Sequence, residues 1–555
     1  MTASQQPQML PVPDNFPVHW ESPEEAAGFW TADLMHWPHG LSPLSATMDM
    51  PAFGRGLAQA GQELRMPFRD VGFKHVNGYV YTRFSPWSYD PTEMEGRMQE
   101  MREAMTKHIP GLLERWYNEY EPEVRAINDE TLKGDYSQLS DADLSALLEK
   151  VCDKREREGL LHFLAVFPAG GAVMGFEETY TQLFGAPRAG EHLQLLQGFR
   201  NKSVEVGDAL WRLATEARKR PQVMKVLHEV PPAQAHAALS EAEQGSAFRG
   251  AVEEFLDRYG WRANELDVAE PTWKEQPAPV YNLVREYAAR DDYDPEEEFK
   301  SLVAARRARE DALRRKVSGN QLQMFDFMLS AAQQYLPVQE DHNFWIDQQG
   351  VCVQRVPVLE AACRLQAAGC IDSADDVFLL HYEELQEALR DGHGSLREIV
   401  ERRRREREEF RRITPPPAIG TLPPPEVLEQ ENPMVSKFFG AQPAEHPDPR
   451  IINGNAASAG KVTATARVIL TLDEAHRLGR GEVLVCPATM PPWTPLFAIA
   501  SAVVTDHGGI LSHTAIVARE YRIPAVVGTK VGTAIIQDGQ RITVDGTAGT
   551  VKLED

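Results

Sequence analysis

The sequence predicts an α+β protein of several domains, in which a large and mainly helical part precedes a small β-rich part. Three observations support this fold class. At 555 residues the chain is too long for a single hydrophobic core. Apolar residues recur three and four positions apart, with charged residues between them, over most of residues 24–412. After residue 450 the pattern changes to short runs of β-forming residues separated by glycine turns.

The N-terminal part of the chain predicts a tail and then a helical domain. Residues 1–22 are polar and contain several prolines, which is typical of a loose tail. Residues 23–412 predict the helical domain, with sequences such as LSDADLSALLEK, where Ser140 is a candidate N-cap followed by acidic residues. The exception is NGYVYTRFS at 77–85, whose alternating β-formers predict a strand or a hairpin edge.

Residues 413–450 interrupt the helical pattern. They contain two Pro-Pro-Pro triplets, which favour extended polyproline II and exclude helix. This composition predicts a semi-rigid interdomain linker. Residues 451–555 then predict a small domain in which short strands surround one helix, SHTAIVAREY. A small domain at the end of a long proline tether is suited to movement.

Composition and charge argue against two classes of partner. With 42% hydrophobic and 25% charged residues the chain has the composition of a soluble globular protein, and we expect no membrane helix. The formal net charge of −24 comes from residues 1–450, because the nine basic and nine acidic side chains of residues 451–555 cancel. An acidic body repels nucleic acid. The five cysteines form no CxxC pair, which predicts reduced thiols, no metal site and a cytoplasmic location.

The most informative segment is TDHGGILSHTAIVAREYRIPAVVG at residues 505–528. A strand is predicted to run into a Gly508-Gly509 turn, where the backbone can take positive φ and a ligand can approach closely. Ser512 is a candidate N-cap, and His513 falls in the first turn of the helix that follows. The unpaired N–H groups and the positive end of the helix dipole favour an attached anion and a neutral, nucleophilic imidazole. A capping or core histidine remains the alternative on these residues alone.

This segment closely resembles the phosphohistidine swivelling domain of the PEP-utilising enzymes, which include phosphoenolpyruvate synthase, pyruvate phosphate dikinase, rifampin phosphotransferase and phenylphosphate synthase. The resemblance extends to residues 454–469, 481–497 and 538–553. It implies a small β/β/α swivelling fold and makes His513 the residue that is phosphorylated. It also implies which residues line the phosphoryl group: Thr505, Gly508, Gly509, Ser512 and Thr514.

Three segments of the helical part resemble the acceptor-binding domain of rifampin phosphotransferase and its relatives. They are FWTADLMHWPHGLSPLSATM at 29–48, FLDRYGWRANELDVAEPTWKEQP at 255–277 and AAGCIDSADDVFLLHYEELQEAL at 367–389. Trp261, in the second segment, stands where a histidine is common. The resemblance implies the order acceptor-binding domain, linker, histidine domain.

No nucleotide-binding motif is recognisable in the sequence. GNAASAGKV at 454–462 has five residues between its glycines, where a P-loop has four, and Val462 replaces the Ser or Thr that holds magnesium. An acceptor domain followed by a histidine domain resembles phenylphosphate synthase, in which the ATP-grasp part is a separate subunit. The resemblance implies that ATP and Mg²⁺ are bound by an ATP-grasp partner subunit and that the acceptor is a small hydroxylated aromatic compound.

Transfer of a phosphoryl group from histidine to a hydroxyl requires a base or orienting group for the acceptor and cations for the phosphoryl oxygens. His342, in EDHNFWIDQQGVCVQR at 340–355, is the candidate acceptor base. The other acceptor-site candidates are His36, His39, Asp341, Asp347 and Arg355. A purely structural role is the alternative for each of them.

The leading hypothesis is the phosphohistidine-carrying subunit of an ATP-dependent, dikinase-type phosphotransferase. It phosphorylates a phenolic hydroxyl while ATP is converted to AMP and phosphate. One alternative is a rifampin phosphotransferase-like subunit that modifies an antibiotic-like alcohol. Another is a non-catalytic phosphocarrier or regulatory protein that only accepts phosphate on His513.

Overall fold

The computed structural model describes residues 8–187, 190–290, 294–392, 394–423, 433–440, 443–444 and 446–554. The chain divides into two compact units, each assembled from three stretches of sequence. Unit 1 comprises Met1–Pro168, Glu265–Glu270 and Trp345–Glu431, and unit 2 comprises Ala169–Asn264, Pro271–Phe344 and Asn432–Asp555. This division differs from the predicted one, in which a continuous helical domain over 23–412 precedes a linker and the β-rich domain.

Most of unit 1 is helical. Its helices are Pro23–Ala26, Pro43–Thr47, Asp49–Glu63, Pro91–His108, Leu112–Arg115, Glu121–Leu132, Asp141–Phe184 (which continues into unit 2), Gly350–Ala367, Tyr382–Arg390 and Arg397–Phe410, with shorter π-helical and 3₁₀ turns at Trp116–Tyr120 and Ala374–Leu379. A further π-helical segment, Asn343–Gln349, lies at the sequence boundary of the two units. The core of unit 1 collects aliphatic side chains that recur at helical spacing, among them Leu144, Leu148, Val358 and Leu365.

Unit 1 also contains a four-stranded antiparallel sheet. Its strands, in spatial order, are Phe68–Val76, Tyr79–Pro86, Phe29–Ala32 and Ala418–Gly420. The first two form a hairpin whose turn residues are Asn77 (φ 52°) and Gly78 (φ 87°). Positive φ at both positions is the geometry of a type I′ turn, for which Asn-Gly is a preferred sequence. The strand predicted at 77–85 is therefore confirmed.

The N-terminal residues pack against this sheet. Phe16 is fully buried, and its ring lies 6.2 Å from that of Tyr79 and 6.3 Å from that of Tyr81. Burial of a phenylalanine ring removes enough apolar surface from water to hold a short segment in place. Residues 8–22 thus have ordered partners, in contrast to the loose tail that the sequence predicts over 1–22.

The first part of the proline-rich segment also joins unit 1, and it does so through its carbonyl groups. The Tyr81 hydroxyl donates to the carbonyl oxygen of Pro416 at 2.8 Å, and the Ala32 N–H donates to that of Pro417 at 3.0 Å. Proline lacks an N–H donor but keeps its acceptor, so it can occupy the edge of a sheet. The start of residues 413–450 is therefore part of a folded unit and differs from the predicted linker.

One buried carboxylate joins two of the segments that resemble the acceptor-binding domain. Asp267 is 4% exposed, and its oxygens accept from the Ser42 N–H at 2.7 Å and the Ser45 hydroxyl at 2.6 Å. A buried charge requires such partners. The serines of the segment at 29–48 and the aspartate of the segment at 255–277 therefore serve one structural purpose.

Unit 2 contains a helical group and the β-rich C-terminal part. Its helices are Lys202–Arg218, Pro221–Glu229, Pro232–Ala238, Gly245–Tyr259, Ala278–Ala288, Pro295–Arg314, Gly319–Ala332, Tyr335–His342, Pro433–Phe439, His513–Glu520 and Gly532–Ile535, with 3₁₀ segments at Glu191–Leu196, Leu472–Arg477 and Pro491–Ala498. Its strands are Ile451–Asn453, Asn455–Ser458, Lys461–Val468, Val483–Cys486, Ala502–Thr505, Ala525–Val527, Arg541–Asp545 and Thr550–Leu553. The α+β fold class with a β-rich C-terminal part is thereby confirmed.

The eight strands of unit 2 form one sheet whose two edges are consecutive in sequence. Ile451–Asn453 pairs with Thr550–Leu553 at one edge, and Asn455–Ser458 pairs with Ala525–Val527 at the other. Only Gly454 separates the two edge strands, so the sheet curls until its edges meet there. A Cβ at Gly454 would lie 2.7 Å from Cγ1 of Val526, which explains the glycine. Val483–Cys486 and Ala502–Thr505 run parallel to both of their neighbours, whereas Arg541–Asp545 and Thr550–Leu553 pair antiparallel with theirs.

Among the described residues, one helix is long and apolar enough to cross a membrane by length and composition alone. It is Asp141–Phe184, and 67% of its most apolar window is buried inside the protein. The sequence analysis expects no such stretch. Burial to this extent is typical of a core helix in a globular protein.

Candidate functional site

The segment that carries the predicted nucleophile folds as a strand, a turn and a helix. The strand Ala502–Thr505 precedes Gly508, whose φ of +107° is one that side chains rarely allow. Ser512 is the N-cap of the helix His513–Glu520, since its backbone is extended and its hydroxyl oxygen accepts an N–H of the first turn at 3.5 Å. His513 is therefore the first residue of the helix, as the sequence predicts.

A second chain segment crosses the turn at Gly509. The Gly509 N–H donates to the carbonyl of Phe438 at 2.7 Å, and the Leu511 N–H donates to that of Lys437 at 2.9 Å. A Cβ at Gly509 would lie 2.2 Å from the Lys437 carbonyl oxygen, so only glycine fits. The crossing residues belong to the helix Pro433–Phe439, within the stretch that the sequence predicts as linker. The Gly509 amide, predicted to line a phosphoryl group, thus already has an acceptor.

The imidazole of His513 lies between a hydroxyl and a carboxylate. Its Nε2 is 3.2 Å from Oγ1 of Thr494, which stands on the 3₁₀ segment Pro491–Ala498. Its Nδ1 is 3.4 Å from Oε1 of Glu340, which stands on the helix Tyr335–His342. The side chain is 10% exposed, so the protein encloses most of the imidazole and a small part of it reaches solvent.

Glu340 is a buried carboxylate that remains ionised. Its side chain is 3% exposed, and the Ser203 hydroxyl donates to its Oε2. Burial by itself would raise the pKa of Glu340, but the charge of His513 and the hydrogen bonds to Glu340 outweigh burial and hold the pKa below its usual range. The ring of His513 therefore faces a negative charge on its Nδ1 side.

Arg519 fixes the turn that precedes His513. Its guanidinium donates to the carbonyls of Ala457 and Ile510, both at 2.9 Å, and is 8% exposed. Burial lowers the pKa of Arg519 to about 10, which still leaves it charged at neutral pH. These two hydrogen bonds hold the turn before His513 to the strand Asn455–Ser458.

Two of the predicted phosphate-lining side chains are buried and hydrogen-bonded to neighbouring residues. The Thr505 hydroxyl donates to the carbonyl of His507 at 2.8 Å, and the Thr514 hydroxyl lies 2.8 Å from that of Thr489. These contacts, like the N-cap of Ser512, shape the turn and the helix. Their part in holding a phosphoryl group stays a prediction.

Two acceptor-site candidates of unit 2 follow Glu340 directly. His342 is 1% exposed, and its Nδ1 lies 2.8 Å from the carbonyl oxygen of Val338 one helical turn earlier. Oδ1 of Asp341 accepts the backbone N–H of Lys202 at 2.7 Å, at the start of the helix Lys202–Arg218. Both contacts are structural, and a role for either residue toward an acceptor stays a prediction.

Four other acceptor-site candidates lie in unit 1, and two of them form histidine–carboxylate pairs. Nδ1 of His36 is 2.8 Å from Asp33, and Nδ1 of His39 is 3.1 Å from Glu265. Burial by itself would lower the pKa of His36, but the charge and the hydrogen bond of Asp33 outweigh it and raise the pKa. The pair of His36 and Asp33 lies within the segment at 29–48, whereas the pair of His39 and Glu265 joins that segment to the one at 255–277.

The remaining two candidates of unit 1 differ in character. Oδ1 of Asp347 is 3.0 Å from Nδ1 of His162, and both side chains are 12% exposed. Arg355 is 6% exposed and donates to the carbonyls of Val268 and Ala269 at 3.0 and 2.9 Å. Arg355 therefore stabilises the core of unit 1, while Asp347 forms part of a third histidine–carboxylate pair.

Unit 1 also contains a cavity of about 270 Å³ between the helix Asp49–Glu63 and the hairpin. Its walls include the apolar side chains Met50, Val71 and Phe73 and the polar side chains Arg55, Lys74 and His75. Burial lowers the pKa of His75 to about 4, so this imidazole is neutral at neutral pH. Mostly apolar walls with a few polar groups are typical of a site for a small organic molecule.

Sequence reasoning missed the two side chains that flank the imidazole. Glu340 comes immediately before the predicted candidates Asp341 and His342. On a helix, consecutive side chains point about 100° apart, so Glu340 and Asp341 face different neighbours. Thr494 lies within residues 481–497, a stretch that shares the family resemblance but contains no predicted site residue. In both cases the sequence identifies the right segment but does not show which of its side chains points toward His513.

Comparison with protein families defines the class of the two parts of unit 2. Residues 478–549 match the family model of the PEP-utilising enzyme mobile domain, which includes His513. Residues 162–340 match the model of the rifampicin phosphotransferase fourth domain, whose last matched residue is Glu340. The chain thus contains a mobile domain of the PEP-utilising enzymes and a domain of the rifampicin phosphotransferase type.

Individual relatives make the placement more specific. The chain is 32% identical over 557 residues to chondramide synthase of Chondromyces crocatus, covering 98% of this chain and 14% of that protein. It is 29% identical over 528 residues to the uncharacterized phosphotransferase YvkC of Bacillus subtilis (95% and 62%). It is 31% identical over 412 residues to rifampicin phosphotransferase of Streptomyces sviceus (72% and 45%). The chain is thus similar to the rifampicin phosphotransferases among PEP-utilising proteins, and it spans less than two thirds of each of these relatives.

Proposed function

We propose that this protein carries a phosphoryl group on His513 as part of a phosphotransferase that phosphorylates a hydroxyl group of a small organic acceptor. The observation that carries the proposal is the position of His513. It is the first residue of a capped helix within the matched mobile domain, and its ring is held between Thr494 and Glu340. A helix N-terminus favours the anion that this histidine would carry.

The chemistry consists of two displacements at phosphorus. In the first, the lone pair of Nε2 of His513 forms the N–P bond while the bond from phosphorus to the leaving oxygen of the donor breaks. In the second, the acceptor oxygen forms an O–P bond, the N–P bond breaks, and its electron pair returns to Nε2. With ATP as the donor, as the family resemblance implies, the overall products are AMP, phosphate and the phosphorylated acceptor.

ATP and Mg²⁺ belong, in this proposal, to an ATP-grasp module outside the described residues. The family resemblance implies that this module is a partner subunit. A further domain of the same polypeptide could equally bind ATP and Mg²⁺ and phosphorylate His513. The residues of this chain contribute the carrier histidine and its surroundings. The relatives, of which this chain spans only a part, are compatible with either arrangement.

The acceptor is proposed to be a small aromatic or antibiotic-like alcohol. The cavity of unit 1 has the mostly apolar walls that suit such a molecule. A phenol, as in phenylphosphate synthase, was the leading expectation from the sequence. Two of the relatives are rifampicin phosphotransferases, and this supports an antibiotic alcohol at least equally.

The test is phosphorylation of the full chain. The chain is incubated with ATP, Mg²⁺ and an ATP-grasp partner, or with potassium phosphoramidate as a chemical donor, and the phosphorylated peptide is located by mass spectrometry. We expect one acid-labile phosphoryl group on the peptide that contains His513. His507→Ala, which removes a histidine from the same loop, should retain the label, and His513→Ala should lose it. Full label in His513→Ala would refute the proposal.

The acceptor reaction separates an enzyme from a simple phosphocarrier. The labelled chain is offered a panel of phenols and of rifamycin-type alcohols, and phosphorylated products are sought by mass spectrometry. Transfer to either group supports the enzyme and identifies the acceptor class. A stable label with no transfer to any hydroxyl compound would favour the non-catalytic carrier.

A further inference from the structure

We infer that Glu340 is a positioning residue for the phosphohistidine: its carboxylate holds the proton on Nδ1 of His513, so that Nε2 exchanges the phosphoryl group and the ring departs as neutral imidazole. The inference rests on the proposed function and deepens it. It assigns a part of the chemistry to the helix Tyr335–His342, which lies outside the residues matched as the mobile domain.

The geometry distinguishes the two ring nitrogens. Nε2 of His513 is 3.2 Å from the Thr494 hydroxyl, which can donate to a nitrogen lone pair. Nδ1 is buried and makes no hydrogen bond within the described part of the chain, and Oε1 of Glu340 lies at ion-pair distance from it, at 3.4 Å. A carboxylate next to one ring nitrogen fixes the proton there and leaves the lone pair on the other nitrogen.

Glu340 is itself held as a negatively charged orienter. The Ser203 hydroxyl donates to its other oxygen, Oε2, so that Oε1 is left for the imidazole. The side chain is almost fully buried, which weakens the screening of its charge by water. This arrangement resembles the orienting carboxylate of a nucleophile–histidine–carboxylate triad in its logic, although here the histidine is the nucleophile.

Other charged and titratable groups surround this pair. They are His342 on the helix of Glu340, Tyr335 at the start of that helix, and Arg519 and Glu520 on the helix of His513. Arg519 is committed to two carbonyl groups, and Glu520 accepts the backbone N–H of Gly198 at 3.1 Å. Glu340 is the carboxylate recorded within 4 Å of a nitrogen of the ring.

The proton on Nδ1 decides how easily the N–P bond breaks. If Nδ1 is protonated, the electron pair of the broken bond returns to Nε2 of a neutral imidazole. If Nδ1 is unprotonated, the same step would release an imidazolate, which is a far poorer leaving group. The acceptor oxygen forms the new O–P bond, and its proton passes to solvent. Glu340 therefore assists release of the phosphoryl group by keeping the ring protonated on the far side.

The consequence is a specific dependence on pH. A carboxylate within ~4 Å favours the protonated partner by one to three pH units. Replacing Glu340 by Gln keeps the shape and removes the charge. We expect Glu340→Gln to release its phosphoryl group ~10- to 100-fold more slowly than the unaltered protein at pH 8–9. The two should converge below about pH 6, where solvent protonates the phosphohistidine ring in both.

The experiment uses the full chain loaded with potassium phosphoramidate, with water as the acceptor. Loss of phosphoryl from the His513 peptide is followed by mass spectrometry at a series of pH values. Glu205→Gln is the matched control, because Glu205 is a carboxylate paired with Lys202 on the adjacent helix. Equal release by Glu340→Gln and the unaltered protein at pH 8–9, or slower release by the same factor at every pH, would overturn the inference.

A second measurement does not depend on phosphorylation. The ¹⁵N shifts of the His513 ring, assigned by comparison with His513→Ala, report which nitrogen carries the proton in the neutral ring. We expect the Nδ1–H form in the unaltered protein and a larger share of the Nε2–H form in Glu340→Met. A dominant Nε2–H form in the unaltered protein would refute the role of Glu340. If the Nδ1–H form depends on Glu340 but His513 cannot be phosphorylated in the labelling experiment, the proposed function is refuted while the role of Glu340 in holding the proton stands.

Discussion

Replacing Arg519 by Met should loosen the turn that presents His513. Met has a similar length and no donor, so the substitution leaves the carbonyls of Ala457 and Ile510 without their 2.9 Å hydrogen bonds from the guanidinium. A buried group that loses its partner costs about 1–3 kcal/mol, which gives about 2–6 kcal/mol for the two. Release of the buried charge, whose burial lowers the pKa of Arg519 to about 10, offsets about 3 kcal/mol of this cost.

The expected net effect is a local destabilisation of about 1 kcal/mol at the midpoint of this range and of at most about 3 kcal/mol. Hydrogen exchange measured by mass spectrometry reports it directly, because local opening exposes the amides of the turn and of the helix His513–Glu520. Protection of peptides from this region should fall ~5- to 150-fold, since 1.4 kcal/mol corresponds to a factor of ten. Arg541→Met, on an exposed position of the strand Arg541–Asp545, is the control and should leave these peptides unchanged.

The magnitude makes this prediction easy to contradict. If the protection of residues 508–520 changes by less than about threefold in Arg519→Met, the two carbonyls are satisfied in another way and the turn does not depend on the guanidinium. Equal loss in Arg541→Met would show that the effect is a general destabilisation of the β-rich part.

Two further predictions concern a steric contact and a buried charge. Gly509→Ala places a Cβ 2.2 Å from the Lys437 carbonyl oxygen, so it should displace the helix Pro433–Phe439 and increase proteolysis of that helix. Gly250→Ala, with open space around its Cβ, is the control and should leave cleavage unchanged; equal cleavage in both variants would contradict the close approach at Gly509. Burial raises the pKa of Glu158 to about 7, so the stability that this residue contributes is present below about pH 4.5 and is lost, by about 3 kcal/mol, as the pH rises through 7. Urea unfolding at pH 5 and pH 8 should therefore show a smaller pH dependence in Glu158→Gln, and an unchanged dependence would refute the raised pKa of Glu158.

The local structure around His513 could be predicted because short-range rules determine it. A Ser before a periodic apolar run, preceded by two glycines, predicts an N-cap, a turn and a helix that begins at His513, and the structure has all three. The Asn77-Gly78 turn is a second example, since the preference for positive φ is a property of the two residues themselves.

The partners of the imidazole could not be predicted because tertiary packing selects them. Glu340 lies more than 150 residues from His513 in sequence, and its neighbours Asp341 and His342 have equally suitable chemistry. Only the phase of the helix Tyr335–His342 turns the first of the three toward the ring. The sequence does not show which face of this helix points toward His513, because apolar and polar residues are mixed around it.

The packing of the chain's less regular segments was missed for a different reason. The proline triplets predict that residues 413–450 contain no helix, which agrees with the strand Ala418–Gly420 but is wrong for the helix Pro433–Phe439. It does not follow that such a segment is free, since Pro416 and Pro417 retain carbonyl acceptors that Tyr81 and Ala32 use. Composition describes what a segment cannot form, whereas its binding partners depend on what other elements present.

The strand order of the β-rich part bears on the solubility of a carrier domain. A sheet with free edges offers unpaired N–H and C=O groups to other chains, and proteins that expose such edges risk aggregation through edge-to-edge pairing. Here both edge strands are short, with three residues in Ile451–Asn453 and four in Asn455–Ser458, and they are joined through Gly454. A short edge strand offers a foreign strand few backbone groups with which to pair. For a domain proposed to present its phosphohistidine first to a donor and then to an acceptor, the short edges limit the risk that departure from a docking surface exposes a template for aggregation.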